Sequence, residues 1–186
     1  MQCTWPAKDE QMLAYHNTEW GTPVHDDKKH FEFLVLDCFQ AGLSWKTILH
    51  RRKHLKKAFA NFNVKKVADF DEAMVLELMQ NAGIIRNKLK ITGTIKNAKA
   101  FIEIQKEFGS FDKYIWQFTD NKTIVTNVKQ SSDIKATSPE SDEMSKALKK
   151  RGFTFVGSTI CYAYMQAAGM VNDHLVSCSR YREVQK

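Results

Sequence analysis

Proline and glycine are scarce in this chain, three and eight among 186 residues. So few turn-formers leave little room for a many-stranded or loop-rich architecture. Long hydrophobic runs are missing too. Nothing approaches the roughly 18 consecutive apolar residues of a spanning helix, so no membrane association is expected. The first ten residues carry no basic segment followed by an apolar one, and no secretory leader is expected. Cysteine is limited to Cys3, Cys38, Cys161 and Cys178, without the tight spacing of a disulfide framework. A reducing, cytoplasmic setting fits, with some thiols free or metal-bound.

What is present is apolar bulk and clustered positive charge. With 43% hydrophobic and 11% aromatic residues the chain can bury a substantial core, which excludes disorder. Its length suits a single unit or two small, intimately packed parts. The net charge is +7, and it is unevenly spread. Lys46 to Lys66 holds eight basic residues and no acid; Arg86 to Lys99 holds five, and Lys146 to Arg151 four, again without an acid. Those windows contain 17 of the 28 Lys and Arg residues, and the remainder of the chain is acidic. Clustering of this kind suits a phosphate backbone, although three solvated helix faces would read the same way.

The periodicity is helical throughout, and the predicted class is all-α. Asp26 or Asp27 caps a helix to about Gln40 with a wide apolar face of Phe31, Leu34, Val35, Cys38 and Phe39. Ala41-Gly42-Leu43 breaks it. Ser44 caps the next, where Trp45, Ile48 and Leu49 oppose Arg51, Arg52, Lys53, Lys56 and Lys57. A third helix opens at Asp69 or Asp71 and stops at Asn81-Ala82-Gly83. Another begins near Asn87 with Ile91, Ile95, Ala98 and Ile102 on one stripe. A short aromatic helix spans Phe111 to Phe118, and Thr119 to Thr137 reads as a polar surface excursion. Ser138-Pro139 starts a helix ending at Arg151-Gly152, and Ser158 to Ala168 forms a last apolar one.

Four constellations could carry chemistry. Cys3 and His16 lie early; His174 and Cys178 lie late, four residues apart. Together they would complete a tetrahedral Cys₂His₂ zinc site, though Cys3 to His16 is no standard spacing. Asp37 stands within Phe33-Leu34-Val35-Leu36-Asp37-Cys38-Phe39, where a charged carboxylate is costly to bury unless paired or employed. It reads either as a backbone-bonded structural group or as the floor of a pocket for something cationic. The turn Ala82-Gly83-Ile84-Ile85, followed by Arg86, Lys88 and Lys90, reads as a helix–hairpin–helix bend whose amides and cations hold a DNA phosphate. An ordinary αα-corner would look identical. Trp5, Tyr15, Trp20 and Trp45 form an aromatic set, core filler singly but a stacking box as a group.

Three stretches then carry a resemblance. They are Tyr15-His16-Asn17-Thr18-Glu19-Trp20-Gly21, Gln40-Ala41-Gly42-Leu43-Ser44-Trp45, and the run from Lys146 to Cys161. With Ala82 to Lys88 between them and Val171-Asn172-Asp173-His174 after them, the chain resembles the DNA-3-methyladenine glycosylase I family from end to end. The resemblance implies a helix–hairpin–helix fold, with residues 26–118 as the hairpin part and residues 1–25 plus 138–186 as a second part. It implies one structural zinc on Cys3, His16, His174 and Cys178. It also implies hydrolysis of the N-glycosidic bond of 3-methyladenine in alkylated double-stranded DNA by a monomer. Trp45 and Tyr15 would line the base pocket with Trp5 and Trp20 close by, and Leu43 would plug the emptied base stack. Asp37, the expected catalytic group, stands where the family usually has Glu, one methylene longer. Glu103 and Glu107, on the helix after the hairpin, lack the sequence context of a catalytic acid. No lysine is an evident Schiff-base nucleophile, which implies a monofunctional enzyme. The competing class is a catalytically weak protein that binds alkylation lesions without excising them.

Overall fold

The computed structural model describes residues 3–185. In chain order the helices are α1 (Glu10–Thr18), α2 (Asp27–Gln40), α3 (Trp45–Ala58), α4 (Val64–Ala68), α5 (Glu72–Gln80), α6 (Lys88–Phe108), α7 (Phe111–Ile115), α8 (Pro139–Lys150), α9 (Ser158–Ala167) and α10 (Ser179–Glu183). Their starts are written in the sequence. Side chains of Asp9, Asp26, Ser44, Asp71, Asn87 and Ser138 each accept a first-turn amide of the helix that follows.

The middle of the molecule is α2. Phe31, Phe33, Leu34, Val35, Leu36, Cys38 and Phe39 are all buried, so the helix is apolar around most of its circumference. Such a helix must be surrounded, and α3, α6, α7 and α9 pack on it. Along α6 the inward stripe is Ile91, Ile95, Ala98, Phe101 and Ile104. Ile102, expected on that stripe, is only half-buried, because Phe101 takes the inward place and stacks on Phe111 at 4.1 Å.

The stretch 119–137 is the expected surface excursion, mostly exposed, but it departs from a strictly all-helical chain. Its β-branched pair forms β1 (Ile124–Val125), which runs parallel to β2 (Val171–Asn172). Thr126 Oγ1 donates to the Asn172 carbonyl at 2.9 Å, which ties this stretch to the chain's last segment. No helix among the described residues is long and apolar enough to cross a membrane.

Candidate active site and metal centre

The ends of α1, α2 and α3 meet one face of α9 around a cavity of about 390 Å³. Trp5, Tyr15, Trp20, Trp45 and Asp37 all line it. The rings touch in sequence. Trp5 meets Trp20 edge-on at 5.0 Å and Tyr15 at 6.4 Å, and Tyr15 meets Trp45 at 5.0 Å with a tilt of 48°. The result is a continuous aromatic wall, the expected surface for a planar ligand.

Three of these residues hold a buried polar atom without a hydrogen-bond partner: Trp5 Nε1, Trp45 Nε1 and Asp37 Oδ2. Such atoms are rare in folded interiors, and their convergence on one cavity marks a place for a polar ligand. Asp37 is 2% exposed on the last turns of α2. Burial pushes its carboxyl well above the usual carboxylate range. Burial, followed by the proximity of Asp37, also pushes the Tyr15 hydroxyl up.

Immediately behind the aromatic wall lie Cys3, His16, His174 and Cys178. Their ligand atoms fall within 4.8 Å of one another, and all four residues are buried. Cys3 Sγ is 3.7 Å from His174 Nδ1, and Cys178 Sγ is 3.7 Å from His16 Nε2 and 3.9 Å from His174 Nδ1. The outer nitrogen of each ring is engaged elsewhere. His16 Nδ1 meets Asn17 Oδ1 at 2.8 Å, and His174 Nε2 meets the Trp20 carbonyl at 2.9 Å. Each ring therefore donates outward and turns a lone pair inward, the arrangement that orients metal-ligating histidines. These four residues can hold a metal ion.

The DNA-facing candidates divide. Leu43 is 41% exposed at the break after α2, next to Gly42, whose φ of +76° only glycine adopts cheaply. Arg86 and Lys88 are exposed. The N–H groups of Lys88 and Leu89 begin α6 and have no intrahelical acceptor. Gly83 contributes space: a Cβ there would lie 2.8 Å from the His54 ring, and its own N–H is taken by Asn81 Oδ1. Its carbonyl and that of Ala82 accept from Arg51 Nη1, so α3 buttresses the bend.

Lys90 is a correction. The sequence places it among the phosphate contacts, but it is 6% exposed. Its Nζ donates inward to the carbonyls of Phe39 and Ala41, each at 2.6 Å. The side chain points into the core, where α6 crosses the end of α2, and it adds nothing to the exposed basic surface. Glu103 bonds Lys106 and Glu107 pairs with Arg151, and neither lines the cavity.

The comparisons with known proteins agree with this geometry. The methyladenine glycosylase family profile matches residues 5–181. The chain belongs to the methyladenine glycosylase family. It is 45% identical over 180 residues to DNA-3-methyladenine glycosylase 1 of Escherichia coli, covering 97% of this chain and 96% of that one. A DNA-3-methyladenine glycosylase of Haemophilus influenzae is 41% identical over 177 residues, covering 95% and 96%. Among solved structures, a 3-methyladenine DNA glycosylase I superposes with a TM-score of 0.94 at 42% identity, covering 96% of this chain and 98% of that one. The Staphylococcus aureus enzyme, solved for its recognition of 3-methyladenine, superposes at 0.93 with 30% identity, covering 100% and 96%.

This methyladenine glycosylase also lines its cavity with residues that the sequence did not single out: Gln40, Ser131, Ile134, Ala163, Gln166 and Ala167. On α9 a signal existed. Ala163 and Ala167 stand four apart beside Gln166, the spacing that carves room on one helix face. Asp173 fixes that glutamine by accepting from its Nε2 at 2.7 Å and from Tyr162 at 2.9 Å. Ser131 and Ile134 gave no signal, because only tertiary folding brings the 119–137 stretch over the pocket.

Proposed function

We propose that this methyladenine glycosylase hydrolyses the N-glycosidic bond of 3-methyladenine in alkylated double-stranded DNA, with the cavity over Asp37 as its base pocket. The observation that carries the reading is the unpartnered carboxyl oxygen of Asp37 at the floor of an aromatic-walled cavity. Its volume, about 390 Å³, lies within the roughly 300–1,000 Å³ usual for small-ligand sites.

The lesion is reached only out of the stack. Leu43 fills the gap left by the flipped nucleotide, while Arg86, Lys88 and the first amides of α6 hold the backbone. Alkylation at N3 makes the base a cation. Tyr15, Trp45, Trp5 and Trp20 accept its faces and edges, favoured by cation–π attraction. Asp37 supplies the matching negative charge. Burial disfavours the charged form of its carboxyl in the empty pocket, and a cationic base opposite it favours ionisation. Water attacks C1′ of the sugar as the C1′–N9 bond breaks. The bond pair moves to N9 and cancels the ring charge, the water loses a proton, and free 3-methyladenine leaves an abasic site. A cationic leaving group needs little further push, so positioning and electrostatics carry most of the catalysis. Among the described residues no lysine lines the cavity, which supports a monofunctional enzyme without a Schiff-base step.

The Cys/His cluster suits zinc. Zn–S of about 2.3 Å and Zn–N of about 2.0–2.1 Å give tetrahedral edges of roughly 3.3–3.8 Å. The sulfur–nitrogen separations of 3.7–3.9 Å lie at and just above the upper end of that range, so a small inward movement of the thiols would complete the tetrahedron. Four protein ligands close the site to water, so its role is structural.

Single-turnover release of free base from methylated duplex tests the assignment. Release of 3-methyladenine with retention of an intact strand is expected. Tight lesion binding without release would instead establish a lesion-binding protein.

A further inference from the structure

Lys90 is the only buried lysine among the described residues, and both its ends are anchored to α2. Its ammonium donates to the carbonyls of Phe39 and Ala41. Its own carbonyl accepts from Cys38 Sγ at 3.8 Å and from Thr94 Oγ1 at 2.9 Å. An ammonium taken out of water requires compensation, and here it meets the carbonyls that a helix end leaves unsatisfied, at the negative pole of α2. The contact joins three functional points. Asp37 precedes Cys38 by one residue; Leu43 follows Ala41 by two; Lys88, on the hairpin side, precedes Lys90 by two.

We propose that Lys90 is a positioning residue, a strut that fixes the distance from the backbone-holding hairpin to the Leu43 wedge and the Asp37 pocket. A phosphate held at the start of α6 then places one particular nucleotide opposite the pocket mouth. Besides the packing of α6 on α2, the Lys90 side chain is the polar link that couples the hairpin to the wedge. This inference rests on the assignment of Leu43 and the hairpin to DNA.

Lys90→Met keeps the aliphatic stem and removes the ammonium. Lys90→Gln keeps an N–H donor for the same carbonyls and supports the fold if Met does not. The full-length variants are compared with the parent chain in three measurements: affinity for undamaged duplex over a salt series, titration with free 3-methyladenine, and single-turnover base release from methylated duplex. The strut predicts an unchanged salt slope, free-base affinity within about twofold, and base release slowed about tenfold or more in Met and less in Gln, the scale of a misplaced reacting group. A salt slope lower by about one unit, with uniform loss on all DNA, would make Lys90 a phosphate contact and overturn the proposal. So would unchanged base release, or a loss of release that merely follows a loss of free-base binding. Absence of release from the parent chain itself would overturn the glycosylase assignment instead, and is read separately.

Discussion

Trp20 joins the two sites: its main-chain carbonyl accepts from His174 Nε2 at 2.9 Å, while its ring forms part of the cavity wall. Trp5 stands two residues after Cys3, and Tyr15 stands immediately before His16. The four candidate metal ligands and the aromatic wall therefore share backbone. About one zinc per chain is expected, and Cys178→Ser should lose it, lower the melting temperature and weaken 3-methyladenine binding together. Metal analysis, melting curves and a tryptophan-fluorescence titration check this. Purified protein without zinc and with all thiols freely titratable would remove the metal.

At Asp37 charge and shape can be separated. Asp37→Asn conserves volume, so folding and metal content should stay near those of the parent chain. Affinity for the cationic lesion should fall by about 1–3 kcal/mol, the scale of a charge-assisted hydrogen bond, while binding of neutral adenine changes little. Asp37→Glu should be tolerated. Equal losses for both bases with a large drop in melting temperature would make the residue architectural.

The same carboxyl gives a pH dependence. Burial raises Asp37, and burial likewise keeps its neighbours Tyr15, Tyr164, Cys38 and Cys161 neutral. Binding of a cationic base requires the ionised form, so the complex forms with release of one proton. Affinity for alkylated DNA at fixed salt should rise with pH, by up to about tenfold per unit, and level off once the free carboxyl has ionised. In Asp37→Asn the rise should vanish. A parent-chain profile as flat as that of the variant would place the charge elsewhere.

Much of this was legible in the sequence because it is local. Caps, the Gly42 break, helix periods and the run of apolar residues around Asp37 depend on neighbours along the chain. The cavity aromatics and the four candidate metal ligands were legible as residue types, and their meeting came from the family resemblance. Lys90 was misread because an exposed and an inward lysine share the same local pattern. Its destination is set by the unsatisfied carbonyls at the end of α2, some fifty positions away. Ser131 and Ile134 were illegible for the same reason: a polar loop gains a place in a pocket wall only through the strand pair that pins it.

Lys88 provides the contrast to Lys90. It is exposed at the first turn of α6. Lys88→Ala should weaken binding of lesion-bearing and undamaged duplex alike and reduce the salt slope by about one unit, because a phosphate contact carries no sequence information. Free 3-methyladenine should bind as before. An unchanged salt dependence would place the DNA on another face.

A half-buried ionic cluster sets how α1 is held against α2 and α3. Arg52 Nη1 and Nη2 each donate to the Glu19 carboxylate at 2.7 Å, and Arg52 Nε donates to Glu32 at 2.8 Å. Lys29 Nζ donates to both acids, at 2.6 and 3.1 Å. Burial pushes the two carboxyls up, but the hydrogen bonds and charge of Arg52 and Lys29 outweigh it. Glu19 is held at about 2, against an ordinary 4.5, and Glu32 also lies below its ordinary value. A carboxyl lowered in the folded state stabilises it fully above the ordinary value, and that contribution is lost as pH falls towards the folded one. The melting temperature should therefore hold steady near neutrality and drop between about pH 4.5 and pH 2. Arg52→Met leaves two acids facing each other with Lys29 alone. It should cost about 1–3 kcal/mol near neutral pH, less than a fully buried pair because water reaches the cluster. Its acid slope should be shallower than that of the parent chain. Glu19 directly precedes Trp20 and lies one turn beyond Tyr15, so the variant should also weaken 3-methyladenine binding. If stability falls while the base titration stays unchanged, the cluster holds α1 without setting the pocket.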